Sequence, residues 1–290
     1  MTIQTSPSPV LWPELRVASW KETYATLHLS TQIVGKVRLA LTPKTNQWWN
    51  VPFYLTTRGL TTSPMPYRDR TVSIAFDFID HAVKVEDSDG RMRSFALLAR
   101  PVAEFYRELF DTLAAIDVHV VINPTPVECP VTVRFPDDRE HATYNAAQAH
   151  EFWQVLRRIE PIFSSFRARF RGKCSPVQFF WGSFDLAVTR FSGRRAPLRN
   201  ASSIERDAYD EEVISLGFWP GDAWSPPRAD GFARADAMIY SYTVPEPEGL
   251  EAASVRPDAA FYDHALREWV LPYEEVRRAS DPRAMILAFA

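Results

Sequence analysis

Gln47-Trp48-Trp49 and Gln178-Phe179-Phe180-Trp181 each set an amide beside aromatic rings, and each is followed by a Thr-Arg pair, Thr57-Arg58 and Thr189-Arg190. Trp, Thr and Arg recur at a constant spacing of 132 positions. An indole wall with guanidinium donors would hold a carboxylate, a phosphate or a planar ring. Trp49, Arg58, Trp181 and Arg190, with Gln47, Gln178 and Asp185, are therefore the candidate ligand-binding residues of a cleft between two related halves. Side chains alternate faces along a strand, so a Trp and an Arg nine positions apart belong on different faces unless a turn or bulge intervenes. The competing reading buries the Trp in the core and pairs each Arg with acidic residues.

A second constellation lies nearer the N-terminus. His28, Gln32 and Gly35 fall at i, i+4 and i+7 of a helical pattern, with Lys36 adjacent. His28 would serve as a general base and Lys36 as the partner of an anion. The alternative is a helix face bonded to a neighbouring sheet, with Gly35 allowing close packing. Asp77, Asp80 and His81 read as a turn rather than a metal site, and His119, His141, His150 and His264 match no ligand spacing. The chain lacks zincin, paired Cys-x-x-Cys, phosphate-loop, dinucleotide and nucleophile-elbow patterns. No metal is expected, and no cofactor is named.

These residues need elements to hold them. A capping box at Ser19 to Glu22 opens a helix that Pro43 closes. Strands are expected at 51–57, 71–79, 82–86 and 91–97, the last two joined by the Asp89-Gly90 turn. Pro101 opens a helix, 118–122 reads as a strand, and 123–136 is Pro-rich. The second half repeats the order. A long helix spans 145–171, divided or kinked at Pro161, and strands are expected at 177–181, 184–191, 213–219, 237–244 and 269–271. A short helix at 206–212 and a last helix from Ser280-Asp281-Pro282 complete it. The fold class is α+β, as two pseudo-repeated helix–four-strand–helix units with mainly antiparallel sheet: 1–122, a Pro-rich linker at 123–144, and 145–290.

The composition, 46% hydrophobic with nine Trp and nineteen Phe, predicts a dense core or an aromatic pocket. The net charge of −3 gives no general attraction to nucleic acid or membrane. Two cysteines, no signal-like start and no long apolar run point to a cytoplasmic monomer or homodimer. Between residues 157 and 199 ten basic residues face two acidic ones, a segment that docks on the acidic region following it or lines an anion cleft.

The segments Trp12-Pro13-Glu14-Leu15, Thr23 to His28, Thr31 to Arg38, Arg58 to Pro64 and Gly172 to Arg194 carry a resemblance over nearly the whole chain. In these the chain resembles an uncharacterised bacterial family known only as domain of unknown function 5996. The resemblance implies no activity, cofactor or catalytic residue. Its pattern often has His where this chain has Gln47 and Gln178, which favours paired roles for the two positions and argues against a metal or proton-transfer role for them here. Two functions follow: an enzyme or small-molecule-binding protein holding an anionic or aromatic ligand between the repeats, or a protein-interaction module using the Trp-bearing loop at 218–227.

Overall fold

The computed structural model describes residues 12–196, 203–224 and 236–290. Helix α1, Val17–Leu41, begins without a side-chain cap. Ser19 Oγ donates backwards to the Arg16 carbonyl at 2.7 Å, so the expected capping box is not formed. Every residue of α1 from Thr23 to Arg38 is buried. A helix enclosed on all sides cannot be amphipathic, which explains why its polar residues are spread around it.

Six short strands follow: β1 (Tyr54–Leu55), β2 (Gly59–Thr61), β3 (Met65–Tyr67), β4 (Arg70–Asp77), β5 (Ala82–Asp87) and β6 (Met92–Ala96). They pair antiparallel in the order β1-β2-β4-β5-β6, with β3 also on β4. Val72, Ile74 and Phe76 of β4 are buried in alternation, as period-two patterning requires. Gly90 turns β5 into β6 at φ 83°. Helix α2, Val102–Ala114, follows Pro101. Residues 118–122 form no strand, although Val118 and Ile122 are buried.

Helix α3, Ala146–Ala168, is capped by Asn145 and runs through Pro161 without division. A second antiparallel sheet comprises β7 (Gln178–Phe180), β8 (Asp185–Arg195), β9 (Glu211–Trp219), β10 (Met238–Val244), β11 (Phe261–Asp263) and β12 (Glu268–Pro272). Its order is β7-β8-β9-β10-β12-β11. Short helices α4 (Ser203–Ala208), α5 (Tyr273–Arg278) and α6 (Pro282–Phe289) complete the chain. The fold is α+β with antiparallel sheets.

The sheets meet where Phe53 and Phe179 exchange two backbone hydrogen bonds of 2.8 Å. Outward from this junction each sheet starts in chain order. The matched Trp, Thr and Arg do not occupy equivalent places, however. Trp49 precedes β1 while Trp181 follows β7, and Thr57-Arg58 lie in a turn while Thr189-Arg190 lie inside β8. Buried apolar residues from both halves form a single cluster, and Phe135 of the Pro-rich stretch is wholly buried within it.

Candidate functional site

Alternation along β8 decides which side chains enter the cavity beside the second sheet. Asp185, Ala187, Thr189 and Phe191 face it, while Leu186 and Val188 point into the core with no exposure. On β9 Ser215 and Trp219 line the cavity, and on β10 Met238, Tyr240 and Tyr242 do. Leu216, Phe218 and Ile239 take the core side. One face of the second sheet is thus the wall of a cavity of about 830 Å³, within the range of small-molecule sites.

Registered rows across that wall show how the space arises. Gln178 pairs with Ala187, Ala187 with Gly217 and Gly217 with Tyr240. A Cβ on Gly217 would sit 2.0 Å from the Tyr240 ring, so the phenol lies across the glycine. This lets Tyr240 Oη donate to Asp185 Oδ2, while Ser183 Oγ donates to Oδ1. Burial pushes the Asp185 carboxyl up, opposed by these two bonds. Burial, ahead of the Asp185 charge, also raises the Tyr240 phenol well above its usual value. In the next row Thr189 Oγ1 and Ser215 Oγ are 3.0 Å apart, and Tyr209 and Tyr242 share a bond of 2.9 Å.

The polar residues of α1 build the opposite side. His28 Nε2–H donates to the Gly182 carbonyl at 2.8 Å, and Trp224 Nε1–H donates to Nδ1 at 3.3 Å. Both ring nitrogens are thereby satisfied in the neutral form, and burial lowers the His28 pKa to about 4. Gln32 takes both backbone groups of Val127, accepting its N–H at 2.9 Å and donating to its carbonyl at 2.7 Å. That clamp brings Val127 and Glu128 of the Pro-rich stretch to the cavity wall. Desolvation, then the Asp185 charge, pushes the Glu128 carboxyl up, although its side chain keeps exposed surface. A Cβ on Gly35 would stand 2.3 Å from the Trp181 ring, whose Nε1 donates to the Val51 carbonyl at 2.8 Å. Lys36, 6% exposed, lines the same cavity.

The remaining wall is a 3-10 turn, Asn46–Trp48, and α4. Gln47 and Trp48 adopt φ of 50° and 57°, Glu128 has 55°, and Phe184, between the lining residues Ser183 and Asp185, has 61°. Four of the nine non-glycine residues with positive φ among the described residues thus lie in or beside this wall. Such backbone persists only where the surroundings hold it, and it concentrates at working sites. Gln47 Nε2 donates to Asp210, and Gln178 Nε2 to Tyr54 Oη at 3.1 Å. Both amide oxygens are buried without a hydrogen-bond partner among the described residues.

A family model described as a family of unknown function, DUF5996, matches residues 12–290. The chain belongs to that family. Neither the curated proteins nor the solved structures contain a match.

In this DUF5996 member the structure separates the residues picked from sequence. Lys36, Gln47, Trp49, Gln178, Trp181 and Asp185 line one cavity. His28 does not line it; it holds the Gly182 carbonyl from behind, so a direct general-base contact is not built. Arg58 lies in the turn between β1 and β2, bound to Asp77 and, at 2.6 Å, to Asp80. Arg190 follows Thr189 on β8 and so faces the other way. Its guanidinium stacks 3.3 Å over the Phe166 ring and donates to the Phe166 carbonyl. Neither guanidinium reaches the cavity. Residues 225–227 of the Trp-bearing loop lie outside the described residues. Of the rest, Phe218 is wholly buried, Trp219 lines the cavity, and Trp224 packs on His28 and His141. Among the described residues no group of His, Cys, Asp or Glu is arranged to hold a metal, and no helix is long and apolar enough to cross a membrane.

Sequence reasoning missed Glu128, Tyr240 and the Tyr209–Tyr242 pair. The alternation of β10 carried the signal for Tyr240 and Tyr242. Nothing local marked Glu128, because its position depends on the Gln32 clamp formed with α1.

Proposed function

We propose that the chain is a small-molecule-binding protein or enzyme whose ligand occupies this cavity. One observation carries the reading: the sheet face that supplies aromatic walls also presents a buried carboxylate, Asp185, held by Tyr240 and Ser183. A buried acid retained at an aromatic cavity costs stability unless it is used. Three carboxyls, Asp185, Glu128 and Glu268, line the space against one lysine. That balance supports a ligand rich in hydrogen-bond donors with a flat or apolar face, such as an aromatic amine, a phenol or a nucleoside, over an anion. Trp48, Trp49, Trp181 and Trp219 supply the stacking surface. Asp185 and Glu128, whose carboxyls burial pushes up, are the groups placed to transfer protons. The two free cysteines support a cytoplasmic setting.

Isothermal titration calorimetry against a library of aromatic amines, phenols, nucleosides and polyols tests this, using the wild-type chain and Ala187→Trp, which fills the cavity from its floor. Saturable binding by the wild type that the variant loses is the expected result. Binding unaffected by Ala187→Trp, or no binder in any class, overturns the proposal.

A further inference from the structure

The chain has five lysines. Lys44, Lys84 and Lys173 are held by Asp207, Asp77 and Glu211, and Lys21 is exposed. Lys36 alone is buried, and it alone of the five lines the cavity. No carboxylate pairs with it among the described residues, and the Phe135 ring lies 6.0 Å from Nζ. Its position follows from the two clamps that precede it along α1, Gln32 on Val127 and Gly35 against Trp181. An ammonium enclosed without a counter-charge is disfavoured relative to the free amine, and burial lowers the Lys36 pKa accordingly.

We propose that Lys36 is a covalent catalytic residue that captures an aldehyde or ketone substrate as an imine within the cavity. The inference rests on the cavity being the ligand site. The Nζ lone pair attacks the carbonyl carbon, forming the C–N bond, and a proton passes from the nitrogen to the former carbonyl oxygen to give a neutral carbinolamine. The C–O bond then breaks, a proton from a cavity carboxyl such as Glu128 leaves with the hydroxyl as water, and the nitrogen lone pair forms the C=N bond. The carboxylate recovers its proton from the nitrogen, so one water is lost and no oxidant or reductant is required. The neighbouring acids fit this role, since dehydration of a carbinolamine needs a proton donor and Glu128 and Asp185 share the lining with Lys36.

The test uses a matched probe pair, 4-hydroxybenzaldehyde and 4-hydroxybenzyl alcohol. Wild-type protein is incubated with the aldehyde and sodium cyanoborohydride at neutral pH, with and without excess alcohol, and the modified lysines are mapped by peptide mass spectrometry. Binding of the alcohol alone is followed by tryptophan fluorescence. The expected result is labelling of Lys36 several-fold faster than the exposed Lys21, suppressed by the alcohol. Lys36→Met, an apolar side chain of similar length, should lose that label and still bind the alcohol. Alcohol binding without preferential Lys36 labelling overturns the imine and leaves the cavity reading standing. Absence of both binding and labelling overturns the two together.

Discussion

Replacing Tyr240 by Phe removes one hydroxyl and leaves the ring lying over Gly217. The loss falls on Asp185, whose Oδ2 then has no donor from the sheet. A hydrogen bond to a charged acceptor contributes about 1.5–3 kcal/mol and one between neutral groups about 0.5–1.5 kcal/mol. The sign with pH follows from the raised folded pKa of Asp185, pushed up by burial against the bonds from Ser183 and Tyr240. Such a group contributes stability that is full below the unfolded value near ~3.9 and is lost as pH rises through the folded value. Removing the Tyr240 donor raises the folded value further. The deficit of Tyr240→Phe should therefore grow with pH, from about 1 kcal/mol where Asp185 is neutral to about 2–3 kcal/mol where it is charged. Urea unfolding of both proteins over a pH series that spans the stable range of the fold, read by tryptophan fluorescence, measures the difference. A deficit that is constant throughout, or larger at the acid end, refutes the assignment of Tyr240 as the donor that holds the Asp185 carboxylate.

Burial depresses His28 to about 4 from 6.5, so its contribution is present above the unfolded value and lost as pH falls through the folded one, a span of about 3 kcal/mol. Urea unfolding of His28→Gln should lack this loss between pH 7 and pH 4; a profile parallel to the wild type contradicts it. Gly35→Ala places a methyl against the Trp181 ring and should destabilise by about 1–3 kcal/mol, with a shift in tryptophan emission as the indole is displaced. Gln178→Met removes an amide whose oxygen is buried without a partner among the described residues and whose nitrogen makes one bond, to Tyr54, so the free energy of urea unfolding should fall by no more than about 1 kcal/mol; a larger loss contradicts this.

Much of the fold was legible because its signals were local. Asp-Gly turned β5 into β6, Pro101 preceded α2, and Asp281-Pro282 set the start of α6, where Asp281 accepts from the Ala284 N–H at 2.9 Å. What failed depended on tertiary context. Ser19 lost its capping role because α1 starts two residues earlier, at Val17. The segment 118–122 has strand-like residues but forms no ladder, and its His119 N–H donates to the Tyr67 hydroxyl at 2.9 Å instead. The candidate site divided for the same reason. Lys36, Gln47, Trp49, Gln178, Trp181 and Asp185 converge because α1, the 3-10 turn and the second sheet enclose one space. Arg190 was excluded by strand alternation, which the sequence showed, whereas Arg58 was excluded by Asp77 and Asp80, which only the folded first sheet brings to it. Glu128 was invisible because a Pro-rich stretch reads as a connection until Gln32 is seen to hold it.

The central claim is that the cavity on the second sheet receives the ligand. A crystal structure of the wild-type chain grown with the tightest-binding compound from the calorimetric screen tests it most directly. The account expects that compound inside the cavity, stacked on an indole and donating to Asp185 or Glu128. A compound bound elsewhere, with the cavity holding only solvent, would contradict it.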